Sequence, residues 1–246
     1  MDDGILVTII TAAICIAISI VLTVITWSNR KKLDRVASEL QRTLDSYDKY
    51  GLSMPLYGYI DPSDVKRMFK GSTTVDLMYL TGFNFIKYYE KEIKEACERE
   101  DCNIRILLAM PGNEFIRDLD RMDGMMNKDR NHSEELPETI GIINAINSSP
   151  DVRNRIELRF YSTMFRVSIT MGHYKEGDAE AWISIFTPPD VAIKSLMLRA
   201  VKGKGENNDM DQLTRFEGHF KMVWDHFSEE AAMDEGGYVL PSPSAE

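Results

Sequence analysis

The longest apolar run in the chain extends from Ile5 to Trp27 and contains no charged residue. A helix over this run would be about 35 Å long, enough to cross the hydrocarbon core of a bilayer. A cleaved signal peptide needs a basic start and a shorter run, whereas Met1-Asp2-Asp3 is acidic. Arg30-Lys31-Lys32 follows the run, as is typical of a cytoplasmic flank. Residues 1–28 are therefore predicted to be a single-pass anchor in the lipid bilayer of the cell membrane, with the N-terminus outside and the C-terminal domain in the cytoplasm.

Residues 29–50 continue in a helical pattern, in which apolar side chains recur at steps of four and three. These side chains are Leu33, Ala37, Leu40, Leu44 and Tyr47. The resulting a/d seam of about two heptads predicts either a short coiled coil that pairs protomers or a helix that packs on its own domain. Small residues in the preceding run also let helices approach closely, and they are Ala12, Ala13, Ala17 and Ser19. We expect self-association as a homodimer or a higher even-numbered homo-oligomer.

From residue 51 onward, apolar runs typical of buried strands alternate with amphipathic segments. Thr74–Leu80 is rich in residues that favour β-structure and is predicted to be a strand. Asn103–Met110 has the nearly continuous apolar character of a parallel strand covered on both faces. Three helices are predicted around them, at Asp64–Phe69, Phe83–Glu100 and Glu114–Met122. An order of strand, helix, strand and helix predicts parallel pairing with right-handed crossovers.

The second half of the domain changes to a period of two. Three segments with this alternation predict strands, the last two of them paired in a hairpin: Ile156–Tyr161, Arg166–Met171 and Glu180–Phe186. Helices are predicted at Leu136–Ser148, Asp190–Val201 and Phe216–Phe227. Residues 51–227 are thus predicted to form one α/β domain with a mixed, largely parallel sheet and flanking helices. Residues 228–246 carry five acidic residues and no basic one, which predicts a disordered tail.

The formal net charge of −10 over 246 residues narrows the choice of partners. Phosphate contacts along a nucleic acid need a basic face, so this charge argues against general nucleic-acid binding. A small anionic ligand is still compatible with it, because one arginine and a few backbone dipoles can hold such a ligand. Cys97 and Cys102 are predicted to be free thiols rather than a disulfide, since no disulfide framework accompanies them. No zinc-like spacing of Cys and His is present, and we expect no metal and no cofactor.

The order of elements resembles that of a phospholipase D-like domain. The resemblance is carried by a strand followed by Thr81-Gly82 and a helix, and by the strand Asn103–Met110 followed by Pro111. The closing helix carries the ending Phe220-x-x-x-Trp224. Over Asp64 to Phe227, this resemblance implies a phospholipase D-like α/β fold.

The resemblance also implies a catalytic pattern, which this sequence does not keep. The family uses a His nucleophile, a Lys two residues later and an Asp five residues beyond the Lys. Met164, Arg166 and Met171 stand at those places, and a thioether neither attacks phosphorus nor serves as a general acid. His173 lies just beyond, either as a displaced catalytic group or, as we favour, as a hairpin residue with no partner carboxylate. The resemblance therefore implies a degenerate member that is more consistent with a binding protein than with an enzyme.

Candidate ligand-binding residues follow from the topology and from the resemblance. Ligands of open α/β sheets bind at the carboxyl ends of parallel strands, and the helices that start there favour anions. The strand that carries the phosphate-binding residues of the family contributes two more positions. The six candidates are Thr81, Asn84, Gly112, Asn113, Arg166 and Ser168. The alternative is that the Thr and Asn residues are ordinary helix caps and that the arginine is a surface charge.

Two functions are consistent with these patterns. The favoured one is a membrane-anchored cytoplasmic binding or signalling module that senses a nucleotide or another anionic ligand. The alternative is an active membrane-tethered phosphodiesterase that acts on lipid or nucleic acid.

Overall fold

The computed structural model describes seven ranges of the chain: 50–52, 56–57, 60–125, 131–163, 167–185, 196–205 and 212–241. The chain divides into two compact units, Met1–Tyr47 and Asp48–Glu246, and all described residues belong to the second.

Eleven strands and six helices occur in the described ranges. The strands are β1 Tyr50–Leu52, β2 Leu56–Tyr57, β3 Thr74–Tyr79, β4 Asn103–Ala109, β5 Glu157–Tyr161, β6 Val167–His173, β7 Ala179–Ile185, β8 Leu196–Gly205, β9 Ser228–Glu230, β10 Met233–Asp234 and β11 Gly237–Tyr238. The helices are α1 Pro62–Gly71, α2 Phe83–Tyr88, α3 Glu90–Cys97, α4 Glu114–Met125, α5 His132–Asn147 and α6 Gln212–His226.

One mixed sheet forms the centre of the domain. Its strand order is β1-β8-β7-β6-β3-β4-β5-β9, and β2 also pairs with β8. Strands β3, β4 and β5 are parallel, as the alternation of strands and helices predicted. Strands β6, β7 and β8 continue the sheet in antiparallel fashion from β3. The predicted α/β class, with a mixed sheet and flanking helices, is confirmed.

The two faces of the sheet are covered by different helices. On one face, here called the α6 face, Arg105 of β4 lies beneath the rings of Phe220 and Trp224. On the opposite face, here called the α1–α5 face, the first five helices pack over β3 to β6. Gly172 of β6 there approaches α1 so closely that an added Cβ would lie 2.4 Å from Cγ of Met68.

Gly172→Ala and its control, Gly141→Ala, are expected to change the free energy of unfolding in opposite directions. Gly172→Ala would place the new methyl group against Met68 and also 2.5 Å from Oγ of Ser72. We expect a loss of about 1–3 kcal/mol in the free energy of unfolding, because overpacking forces neighbouring groups off their minima. Gly141→Ala, inside α5 with no atom within 4 Å of the new Cβ, should instead stabilise by about 0.5–1 kcal/mol. Urea unfolding measures both, and equal effects would contradict the packing.

Three predicted elements differ from the structure. The single helix predicted over Phe83–Glu100 is two helices, α2 and α3, with a break at Tyr89, whose φ of −106° is not helical. The helix predicted over Asp190–Val201 is wrong from Leu196 onward, where the chain forms β8. The ladders to β7 and β1 provide that strand with backbone hydrogen bonds on both sides, which outweighs its local helical pattern.

The predicted disordered tail, 228–246, is also ordered as far as residue 241. Strand β9 pairs with β5, and β10 and β11 form a hairpin. Tyr238 holds this hairpin in place by donating from its hydroxyl to Ile156 O at 2.7 Å, and the side-chain amide of Asn144 bonds to both its N–H and its carbonyl. Acidic composition did not preclude order, because Glu229 and Glu230 face solvent while Ala231 is buried.

The predicted membrane span requires a correction. The longest helix in the described ranges is α5, with 16 residues and two glutamates in its first turn. A span needs about 20 mostly apolar residues. No helix in the part of the chain that the structure describes is long and apolar enough to cross a membrane. The run Ile5–Trp27 and the seam Leu33–Tyr47 lie outside the described residues.

Candidate functional site

Thr81 lies at the carboxyl end of β3, but a carboxylate occupies its surroundings. Its hydroxyl donates to Oε2 of Glu135 at 2.6 Å, and its carbonyl accepts from the hydroxyl of Thr139 at 2.9 Å. Nδ1 of His132 lies 3.4 Å from the same Glu135 oxygen. These bonds join the end of β3 to α5. An anion at Thr81 would meet the Glu135 carboxylate, so this strand end is a poor anion site.

The residues at the next strand end are engaged in capping. Asn113 accepts a hydrogen bond from Phe115 N at 2.9 Å and donates to Ser162 O at 3.0 Å, which is the cap alternative raised from the sequence. Gly112 makes the preceding turn with φ of +78°. Asn84 is exposed on α2, a helix of only six residues. The structure does not bring these residues together with Thr81 around one ligand position.

Ser168, in contrast, belongs to a group of hydroxyls on the α1–α5 face. Ser168 of β6 lies directly opposite Ser184 of β7, and Thr170 comes two residues later on the same face. Tyr79 lies on the neighbouring strand β3, directly after Met78, which pairs with Ile169 of β6. The hydroxyl of Tyr79 shares a short hydrogen bond with the hydroxyl of Thr170. We call Tyr79, Ser168, Thr170 and Ser184 the hydroxyl row. The predicted neighbour of Ser168, Arg166, lies outside the described residues.

The hydroxyl row contains an unsatisfied group. Ser168 and Ser184 are 7% and 6% exposed. The hydroxyl oxygen of Ser184 is buried and has no hydrogen-bond partner among the described residues. Leaving such a group unsatisfied costs about 1–3 kcal/mol, and native proteins contain only a few of them. The row therefore has hydrogen-bonding capacity that a bound molecule would satisfy.

A cluster of charges borders the hydroxyl row. Arg199 of β8 stands opposite Trp182 of β7, and its guanidinium lies 5.7 Å from the centre of that ring. Trp182 in turn stands opposite Thr170, so Arg199 is two strands away from Thr170 and one strand away from Ser184. Nη2 of Arg199 donates to Glu180 at 2.7 Å, while its buried Nε has no partner among the described residues. The positive charge and a second unsatisfied donor thus lie beside the row.

Glu180 is the carboxylate of this cluster and is only 5% exposed. It accepts hydrogen bonds from Arg67 of α1 at 3.2 and 3.3 Å, from Arg199, and from the hydroxyl of Tyr174. Burial acts to raise the pKa of Glu180, but the hydrogen bonds from Tyr174, Arg199 and Arg67 outweigh it and hold the pKa below its ordinary value. Glu180 is therefore ionised at neutral pH.

The α6 face carries a second buried cluster, around Asp76. Arg105 forms a two-pronged bond with its carboxylate, with both N–O distances at 2.7 Å. Nε2 of His173 lies 3.1 Å from the same carboxylate and Nδ1 lies 3.5 Å from Glu217 of α6. The sequence placed no carboxylate beside His173, whereas the structure brings two there. The contact of His173 with Glu217 ties α6 to the sheet.

Thiol and metal chemistry find little support in the described ranges. Cys97 and Cys102 are free and buried, and burial raises the pKa of Cys97 to about 12, so it is not a reactive thiolate. Among the described residues, no group of three His, Cys, Asp or Glu side chains is arranged to hold a metal ion.

Comparisons with known proteins include a match to a solved structure. No family model matches the chain, and no curated protein matches it. A matching solved structure is that of TrmBL2, described as an archaeal chromatin protein with a novel mode of DNA binding. The TM-score is 0.37 and the identity 14%, with 82% of this chain and 66% of that chain covered. This chain thus spans just under two thirds of the length of that protein, and so low a likeness assigns neither fold nor function.

Two expectations require correction. The phospholipase D-like resemblance is wrong, because no family model matches the chain. That resemblance rested on element order and local texture, which unrelated α/β folds share. The exclusion of nucleic-acid partners is also corrected, because a formal net charge is a sum over the whole chain and does not describe any one surface.

Proposed function

We propose that the domain is a binding module for a small anionic ligand, held at the hydroxyl row beside Arg199. The observation that carries the proposal is the Ser184 hydroxyl, which is buried on a sheet face without a partner among the described residues. Folding leaves such a group unsatisfied at a cost, and a bound oxygen acceptor would recover that cost. Residues that lower stability in this way are typical of binding sites.

The chemistry of the row favours an anion over other ligands. Every side chain in it carries a hydroxyl; Tyr79 and Thr170 share a hydrogen bond with each other, whereas Ser168 and Ser184 can each donate one to an oxyanion. Arg199 adds a permanent positive charge and the unsatisfied Nε. The Arg199 side chain is 32% exposed, so solvent reaches this charge.

Binding is also better supported than hydrolysis. A phosphodiesterase needs a nucleophile or a general base beside the bound phosphate. His173 is the histidine of β6, but its register pairs it with Thr74 and Ala179 on the α6 face, and Asp76 and Glu217 engage both ring nitrogens. No observation favours the phosphodiesterase alternative.

The test of this proposal is Ser184→Ala in the full chain. Because the serine hydroxyl is unsatisfied, the variant alone should be as stable as the wild type or more stable by about 1 kcal/mol. Inorganic phosphate and adenosine monophosphate are the probes, followed by thermal unfolding. A ligand at 100 times its Kd should stabilise the wild type by about 2.7 kcal/mol and the variant by much less.

Ser162→Ala provides the control, because Ser162 is exposed and uses only its carbonyl in the contact with Asn113. It should keep both the stability and the ligand response of the wild type. A wild-type protein that neither probe stabilises, or a Ser184→Ala protein with an undiminished response, would refute the proposed site.

A further inference from the structure

His173 of β6 lies between two carboxylates that belong to different elements. Its Nε2 is 3.1 Å from Oδ2 of Asp76 on β3, and its Nδ1 is 3.5 Å from Oε1 of Glu217 on α6. A neutral imidazole carries a proton on only one ring nitrogen, whereas an imidazolium donates from both. The ring therefore donates to both carboxylates only while it is protonated.

The neutral ring is expected to keep the contact with Asp76 and to lose the one with Glu217. Asp76 is 1% exposed and is fixed by two bonds from Arg105, whose charge Glu157 and Asp225 also face. A single proton on Nε2 serves this buried acceptor at the shorter of the two distances. The lone pair on Nδ1 is then directed at the Glu217 carboxylate, which repels it. Loss of one proton thus breaks the contact with α6 and leaves the contact within the sheet.

Glu217 has a second cation within reach. Nζ of Lys202 on β8 lies 4.0 Å from the same Oε1, and both of these side chains are partly exposed. Lys221 follows Glu217 by four residues on α6 and is exposed. Ammonium groups stay charged throughout the range in which histidine titrates. A Glu217 carboxylate released by the ring therefore keeps a positive charge beside it.

We infer that His173 and Glu217 form a pH-dependent latch between β6 and α6. At acidic pH the imidazolium ties Glu217 to β6. As the pH rises through the range of about 5 to 8 in which histidine titrates, this tie is lost and Glu217 pairs with Lys202 of β8 instead. The apolar packing of Phe220 and Trp224 does not depend on pH, so α6 stays on the sheet and the change is confined to the surroundings of Glu217. The latch lies on the α6 face and is independent of the ligand site proposed on the opposite face.

Double-mutant cycles in the full chain at pH 5.5 and pH 8 test the exchange of partners. Carboxylates are ordinarily ionised at both pH values. The coupling between His173→Gln and Glu217→Gln should change the equilibrium constant of unfolding by about two- to fivefold at pH 5.5 and by little at pH 8. The coupling between Lys202→Met and Glu217→Gln should instead be larger at pH 8. Glu229→Gln, an exposed change on β9, should show no coupling to His173→Gln at either pH.

A second measurement follows the ring itself and does not depend on the stability of a His173 variant. The imidazole signals of His173, assigned through its backbone resonances, are titrated by NMR in the wild type and in Glu217→Gln. Removing the carboxylate charge favours the neutral ring, so the midpoint should fall by about 0.3–0.7 pH units, which corresponds to a two- to fivefold change in proton affinity. Glu229→Gln should leave the midpoint unchanged. An unmoved midpoint in Glu217→Gln, or a coupling between His173 and Glu217 that is equal at the two pH values, would overturn the inference.

Discussion

Phe220→Ala is expected to lower the free energy of unfolding by about 3–5 kcal/mol, the largest effect of any change considered for this domain. Phe220 is 1% exposed on the buried stripe of α6 and stacks on Trp224 with ring centroids 5.8 Å apart. Its ring also covers the guanidinium of Arg105, whose Cζ lies 5.4 Å from the ring centroid. The truncation removes apolar burial, opens a cavity and exposes the charged cluster on the α6 face at the same time.

Met222→Ala is the matched control, because Met222 lies two residues away on the same helix and is 42% exposed. It should change stability by no more than about 0.5 kcal/mol. Urea unfolding followed by circular dichroism measures both variants. Comparable losses for the two would mean that α6 does not cover the sheet through Phe220.

Asp76→Ala should destabilise the domain by about 3 kcal/mol through a different mechanism. Asp76 is 1% exposed, and its carboxylate is the partner of both Arg105 and His173. Removing it leaves the Arg105 guanidinium unpaired in a partly buried position, which is the costly way to break such a pair. We place the effect at the lower end of the usual range because the Arg105 side chain is 31% exposed and water can reach it.

A double variant separates the cost of the unpaired charge from the cost of lost packing. Asp76→Ala combined with Arg105→Met should be more stable than Asp76→Ala alone, because no charge is then left without a partner. Asp225→Ala, an exposed position on α6, provides the control and should have little effect. A double variant whose loss equals the sum of the two single losses would show that the pair is not coupled.

The parallel half of the sheet could be predicted from sequence because its signals are local. Strands β3 and β4 are mostly apolar, each with one charged residue, and four of the six residues of β3 and five of the seven of β4 are buried. The start of α1 was equally readable, since Asp61 caps it by accepting from Ser63 N at 2.8 Å and Pro62 occupies its first turn. These features depend on residues a few positions apart, which sequence patterns report directly.

Strand β8 and the ordered tail could not be read in the same way. The local pattern of Leu196 to Val201 is compatible with a helix, and the ladders to β7 and β1 decided the outcome. The segment after α6 is acidic, yet β5 provides an open edge on which Ser228–Glu230 pairs. In both cases the deciding partner is distant in sequence, so local propensity carries little information about it.

The candidate site also separates features that local sequence patterns predict from features that depend on distant strands. The sequence patterns pointed to Ser168 and His173, but they did not indicate which side chains would contact either residue. Only the register of β6 against β7 places Ser168 opposite Ser184 and puts His173 on the other face, between Asp76 and Glu217. Thr81 and Asn113 were chosen because they lie at strand ends, and the structure engages them with Glu135 and with a helix cap instead.

The sequence by itself determined the α/β class of the domain, the parallel strands and the helices that flank them, because periodicity and capping act over a few residues. The tertiary structure alone decided which polar groups meet. A strand positions every second side chain on one face, and pairing between distant strands then sets which side chains become neighbours. The hydroxyl row, the Glu180 cluster and the Asp76 cluster each draw on at least three separate elements. Their chemistry therefore arises from strand register and helix packing, which no local pattern specifies.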